Sequence, residues 1–189
     1  MFPVSPRRVA TLLAVPALAA IGLFGLSAAD APAAHADSAA ATATCSTAYL
    51  PLPDSACTPG VLNPDVTQDT IDSTICVSGW TSTIRPSTSY TNKLKAEGIV
   101  AYGYSDTTMA DYEEDHFVPL ELGGSPTDPS NLWPEPRYSA DSSGLTSSDK
   151  DSVENKLKTA VCNGTVTLAD AQNAIMTDWT TALSSLGLS

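Results

Sequence analysis

Basic side chains are scarce in this sequence. Its 189 residues include 9 lysines and arginines against 21 aspartates and glutamates, which gives a formal net charge of −12 at pH 7. Such a surface favours solubility and a monomeric state, because like charges repel. Non-specific binding to nucleic acid depends on lysine and arginine replacing the counterions of the phosphates. The composition therefore argues against tight binding of any polyanion through overall charge.

The first 36 residues have the three parts of a secretory signal. Arg7 and Arg8 supply a positive start, residues 9–26 are apolar almost throughout, and Ala34-His35-Ala36 offers small residues for cleavage. We predict cleavage after Ala36 rather than a membrane anchor, because the apolar run is interrupted and leads into a cleavable, alanine-rich stretch. The mature protein is then secreted, with no membrane attachment.

Histidine is the next scarce residue. The chain has two, His35 and His116, and His35 leaves with the signal. A single histidine excludes sites built from several histidines, such as most catalytic zinc centres. It also leaves His116 as the one side chain whose unperturbed pKa lies near neutrality.

No cysteine pair has the C-x-x-C spacing typical of zinc knuckles. The chain has four cysteines, and an even number in an exported protein indicates two disulfides, for which three pairings are possible. We favour Cys45–Cys57, which closes a short loop, and Cys76–Cys162, which ties the early part of the domain to a late helix. The second pairing constrains the unfolded chain more strongly.

The pattern along the mature chain predicts a small α+β domain. Residues 37–70 begin with low-complexity sequence and are then rich in Pro, Thr, Asp and Ser, so we expect a flexible or irregular segment before a domain at 71–189. Short extended pieces are expected at 74–77, within 112–122 and at 131–133.

Three helices are expected as well. The first covers 89–97 and is stopped by Gly98. The second opens with Ser148 and Asp151 as a capping pair, and the third opens with Thr167 and Asp170. The buried face of the third helix is predicted to contain Leu168, Ala171, Ile175, Trp179, Ala182 and Leu186.

His116 lies in the most acidic segment of the chain. Its neighbours are Asp111, Glu113, Glu114, Asp115 and Glu121, with no basic residue among them. Water would screen these charges on a solvated strand, whereas a bound divalent cation would relieve their repulsion directly, because hard cations bind carboxylate oxygens. The segment therefore indicates either a solvated acidic surface or a metal site.

The motifs of this region resemble a known family. EEDHFVPLELGG, then DPSNLWPEP, then a helix opening KDSVEN are similar to the HNH, or His-Me finger, nuclease pattern over roughly residues 111–158. The order TIC, RP, YE-DH, NLWPEP, KD--E and VC-G also resembles a group of exported actinobacterial proteins. The resemblance implies a ββα-metal core, in which a β-hairpin and a helix hold one metal ion, followed here by C-terminal helices.

The resemblance also implies roles for individual residues. His116 would be the general base that activates a water, and Asp115 would be a metal ligand. Asn131 matches the middle asparagine, which shapes the hairpin and orients the histidine. At the last position, where the family usually has His or Asn, this helix offers Asp151, Glu154 or Asn155.

Helix geometry favours Glu154 as the last ligand. At about 100° per residue, Lys150 and Glu154 border the apolar face that contains Leu157, whereas Asp151 points away and has a capping role. We therefore expect Glu154 to bind the metal and Lys150 to contact a substrate phosphate. Arg85 is expected either to contact phosphate or to form a surface ion pair.

The implied activity is secreted, metal-dependent hydrolysis of phosphodiester bonds in DNA, and in RNA as a second substrate. Mg²⁺ or Mn²⁺ is the expected metal, with Ca²⁺ or Zn²⁺ as alternatives. The surrounding carboxylates are expected to raise the pKa of His116 and to give an alkaline pH optimum. Two other functions remain open: a non-enzymatic extracellular binding domain with a degenerate site, and a calcium-binding structural protein.

Overall fold

Helices provide most of the regular structure in the computed structural model, which describes residues 44–188. Two antiparallel strands, β1 (Tyr112–His116) and β2 (Leu132–Pro136), form the sheet. The helices are α1 (Trp80–Ile84), α2 (Thr88–Tyr102), α3 (Ser147–Cys162), α4 (Leu168–Asp178) and α5 (Ala182–Ser185). The structure confirms a small α+β domain. The predicted signal peptide lies outside the described residues, and the proposed division of the chain at residue 70 stays a prediction.

Two disulfides connect distant parts of the described chain. Cys45 is bonded to Cys57, 12 residues away, and Cys76 is bonded to Cys162, 86 residues away, so the favoured pairing is confirmed. Disulfides form and persist in oxidising compartments, which fits a protein that works outside the cytoplasm. Among residues 44–188, no helix is long and apolar enough to cross a membrane.

The main core lies where α3 and α4 pack together. Leu157 and Val161 of α3 meet Ile175 of α4, and Val66 from the irregular N-terminal stretch joins them. The predicted third helix is divided into α4 and α5 by a turn at 179–181, but five residues of its predicted inner face are buried and Leu186 is half-buried. The buried residues are Leu168, Ala171, Ile175, Trp179 and Ala182.

The extended piece predicted at residues 74–77 is wrong. This stretch forms turns, and Ile75 is buried in the core while the Cys76 amide donates to the Ile71 carbonyl. A β-prone run needs a neighbouring strand to pair with, and the strands of the described residues pair only with each other.

The predicted end of α2 at Gly98 is also wrong. The helix continues to Tyr102 and ends at Gly103, which has the left-handed backbone (φ 68°) that glycine adopts easily. Gly98 lies inside the helix against the ring of Pro134, where an added Cβ would come within 2.7 Å of Cδ. This glycine therefore permits α2 to pack closely on β2.

Candidate active site

Asn131 holds together the loop that joins β1 to β2. Its side chain is fully buried, and its Oδ1 accepts hydrogen bonds from the amides of Val118 (2.9 Å) and Val61 (3.3 Å). Its Nδ2 donates to the carbonyls of Val118 and Ser125, both at 3.0 Å. This placement suits a residue that shapes the hairpin, and Asn131 is not part of the cavity described next.

A cavity of about 470 Å³ opens beside the C-terminal end of β1. It is lined by residues 113–116 of β1, by Asp151, Glu154 and Asn155 of α3, and by parts of α1, α2 and the loops. Three cations, Arg85, Lys95 and Arg137, also line it. Six carboxylates line the same cavity, so the three cations provide local contacts for an anion within a lining that is acidic overall.

The three cations differ in how firmly they are held. Arg137 lies 2.9 Å from Glu113, and Lys95 donates to the Tyr112 carbonyl at 3.0 Å. Arg85 is exposed and forms no ion pair with any residue between 44 and 188. The guanidinium of Arg85 is therefore available to a phosphate.

His116 ends β1 and is 5% exposed. Its Nε2 lies 3.0 Å from the Pro126 carbonyl oxygen, and because that oxygen can only accept, Nε2 carries the proton of the neutral ring. Nδ1 then has a free lone pair and no protein partner among the described residues. The ring is thus held in the tautomer that a base requires.

The pKa of His116 is lowered, so the expectation of a raised pKa is wrong. Burial has the largest effect and favours the neutral ring, whereas the bond to Pro126 and the charge of Asp115 act more weakly in the opposite direction. The sequence showed the neighbouring carboxylates but not the loss of water around the ring.

Lys150 lies beneath the cavity with its side chain fully buried. Its Nζ donates to Asp115 Oδ2 at 2.6 Å, to the His116 carbonyl at 3.2 Å, and to Glu154 Oε1. Burial alone would lower the pKa of Lys150, but the two carboxylates outweigh it and hold that pKa well above its ordinary value. The ammonium is therefore charged and enclosed, and it does not face the cavity as a phosphate contact would.

The N-terminal cap of helix α3 lies two residues earlier than predicted. Thr146 and Asp149 form the capping box, not Ser148 and Asp151, with Asp149 Oδ2 accepting from the Thr146 amide at 2.9 Å. Asp151 has no capping role and lines the cavity. The predicted orientation of α3 is confirmed, because Lys150 and Glu154 are buried while Asp151 is exposed.

Three carboxylates gather on the hairpin. One oxygen from each of Glu113, Asp115 and Glu135 lies within 4.8 Å of the others. Burial raises the pKa of Glu135 well above its ordinary value and raises the pKa of Glu154 to about 8. Carboxylate oxygens that have too few positive charges near them are suitable ligands for a hard divalent cation.

Glu113 and Glu135 were not named as candidate ligands by sequence reasoning. Glu113 shares a strand face with Asp115, two residues away, and this alternation was visible in the sequence. Glu135 is far along the chain, and it comes opposite Glu113 only through the strand register.

The crowded carboxylates predict an unusual pH dependence of stability in the metal-free protein. Burial and Asp115 raise the pKa of Glu114 to about 8, and the pKa of Glu154 is also about 8, whereas an ordinary glutamate has a pKa of 4.5. Because the folded state binds these protons more tightly, the stability they contribute is complete below pH 4.5 and is lost as the pH rises through 8. With a chelator present, the urea midpoint should be higher at pH 6.5 than at pH 9.

Stability is compared at pH 6.5 and above because, below pH 6.5, the titration of His116 changes stability in the opposite direction. Its lowered pKa means that protonation destabilises the folded state there. Glu114→Gln, which cannot ionise, should reduce the difference between pH 6.5 and pH 9. Equal midpoints at the two pH values in the wild type would contradict the prediction.

No protein-family model matches this chain, and neither a curated protein nor a solved structure shows significant similarity to it.

Proposed function

We propose that this protein is a secreted, metal-dependent nuclease whose β1–β2 hairpin and helix α3 act as an HNH-like ββα-metal core. One observation supports the proposal above all: a single cavity brings together His116, a group of carboxylates and three cations. Hydrolysis of a phosphodiester needs a base for the attacking water, positive charge near the reacting phosphate, and groups that bind the flanking phosphates. Residues suited to all three tasks line this cavity.

His116 is the general base of this proposal. The Pro126 carbonyl fixes the Nε2 proton and the ring orientation, so Nδ1 can accept a proton from a water in the cavity. Burial keeps the ring neutral, as a base must be before it acts.

The carboxylates that include Asp115 are the candidates for holding the metal. When bound, a divalent ion, Mg²⁺ or Mn²⁺ first and Ca²⁺ or Zn²⁺ as alternatives, would neutralise charge on the phosphate and the leaving oxygen. Lys150 positions this region, because its ammonium joins Asp115, Glu154 and the His116 carbonyl. Arg85, Lys95 and Arg137 would bind the phosphates.

The substrate in this proposal is DNA, with RNA as a second substrate. The protein as a whole is acidic, so its attraction for a polyanion is confined to the basic residues of the cavity. Binding should therefore be modest and sensitive to salt.

Cleavage assays test the proposal directly. The full-length chain would be secreted from a suitable host, and the exported protein incubated with plasmid DNA or RNA and Mg²⁺, Mn²⁺ or chelator. We expect cleavage with metal and none with chelator. Arg85→Gln should slow cleavage about 10- to 100-fold, since a hydrogen bond to a charged group contributes about 1.5–3 kcal/mol.

Lys156→Gln is the matched control for Arg85→Gln. Lys156 is exposed on α3 and does not line the cavity, so its loss should leave cleavage unchanged. If the folded wild type cleaves neither DNA nor RNA with any of these metals, the nuclease proposal is wrong and a non-enzymatic binding domain is favoured. Melting that depends on Ca²⁺ without cleavage would favour the calcium-binding structural protein.

A further inference from the structure

Glu135 is a buried acid without a protein partner. It is 3% exposed at the next-to-last position of β2, and its carboxylate forms no hydrogen bond or ion pair with any residue in the described range 44–188. Burying a carboxylate without a partner is unfavourable, so such a group either stays protonated or binds a cation. One of its oxygens lies within 4.8 Å of oxygens of both Glu113 and Asp115, so the side chain is directed at these two acids.

The strand ladder fixes the three acids relative to one another. Glu113 is directly opposite Glu135, and Asp115 follows on the same side of β1. Metal–oxygen distances are about 2.0–2.6 Å, so one ion can bridge oxygens up to about 4–5 Å apart. The observed spacing is therefore within reach of a shared divalent ion.

Helix α3 offers a less suitable ligand. The Nζ of Lys150 contacts Asp115 Oδ2 and Glu154 Oε1, so an ammonium already lies between the two carboxylates that a metal was expected to share. A metal at that point would have to displace a fully buried lysine. Asp115 Oδ1 accepts no hydrogen bond from the described residues and can turn to the hairpin acids.

The charges agree with one additional divalent ion. Glu113, Asp115, Glu135 and Glu154 carry four negative charges when ionised, and Lys150 and Arg137 neutralise two of them. Resting on the function proposed above, we infer that the divalent cation is bound on the hairpin by Glu113, Asp115 and Glu135, and that Glu154 is the partner of Lys150 instead of a metal ligand.

Calorimetric titration with Mn²⁺ or Ca²⁺ tests this ligand set without relying on catalysis. The exported wild-type protein should bind one ion, and Glu135→Gln should weaken binding at least tenfold. Glu113→Gln should have a similar effect. Glu121→Gln is the matched control, because Glu121 lines the cavity beside Glu113 and Asp115 but is outside the cluster, and the affinity of this variant should stay within threefold of the wild type.

Glu154→Gln separates the two possible ligand sets. If the hairpin acids hold the ion, the affinity of Glu154→Gln for the metal stays within threefold of the wild type. If Glu154→Gln loses binding while Glu135→Gln retains it, the inference is wrong. If Glu154→Gln does not fold, the metal affinities of Glu135→Gln and Glu121→Gln still test the inference. Equal affinities in those two variants would show that it is wrong. A wild type that binds neither ion at millimolar concentration would do the same.

The cleavage assay shows which proposal fails. If Glu135→Gln retains metal-dependent cleavage, the nuclease proposal is supported and the hairpin metal site is rejected. Tight binding that requires Glu135, in a protein that cleaves nothing, would establish the site and reject the nuclease.

Discussion

Replacing Lys150 with methionine is expected to lower the free energy of unfolding by about 3–5 kcal/mol, the cost of removing one partner from a buried ion pair. Methionine fills much of the space of the lysine chain but leaves Asp115 and Glu154 facing each other without the ammonium between them. The His116 carbonyl also loses its donor. Urea unfolding in the presence of chelator measures the change.

Two further variants test whether the loss of stability in Lys150→Met comes from the unpaired carboxylates. Lys156→Met, on the exposed face of the same helix, should change stability by no more than about 0.5 kcal/mol. Combining Lys150→Met with Asp115→Asn and Glu154→Gln should recover much of the loss, because no uncompensated buried charge remains. A Lys150→Met protein as stable as the wild type would show that the ammonium does not hold these elements together.

His116→Ala is expected to reduce metal-dependent cleavage by about 10²–10⁴-fold, the usual contribution of a general base. The variant should still fold, because the ring makes one side-chain hydrogen bond, to the Pro126 carbonyl, and lies at the edge of a cavity. The rate of plasmid nicking at saturating metal measures the loss, and thermal melting checks that the protein is folded.

Added imidazole distinguishes a base from a structural residue. If His116 takes the proton from water, free imidazole should restore part of the cleavage by His116→Ala in proportion to its neutral form. A purely structural role would give no such rescue. Cleavage within threefold of the wild type would mean that another group is the base.

The parts of the fold that depend on local patterns could be predicted from the sequence. Thr167 and the spacing of Leu168, Ala171 and Ile175 indicated α4 and its buried face, because helical periodicity is a property of neighbouring residues. The same periodicity placed Lys150 and Glu154 at the border of the apolar face, and both are buried. The number of cysteines predicted two disulfides, and the pairing favoured among the three possible ones is the pairing observed.

The rest of the candidate site depends on contacts between distant residues. From the sequence, Gly98 suggested the end of a helix, because its contact with Pro134 depends on the tertiary structure. Glu135 became a candidate ligand only because the strand register places it opposite Glu113. The pKa of His116 is decided by competition between burial and charge, and only the charge can be read from the sequence. Lys150 was placed on the correct face, but its partners could not be known.

The long disulfide has a consequence for resistance to proteolysis. Cys76 and Cys162 enclose every residue that lines the cavity, so a cut at any single peptide bond between them leaves the two fragments covalently joined. The largely exposed loop at 139–144, between β2 and α3, is the natural place for such a cut. Asp115 would then belong to one fragment and Lys150 to the other, with the ion pair between them still in place. The domain could thus persist as a two-chain molecule whose fragments separate only after the disulfide is reduced.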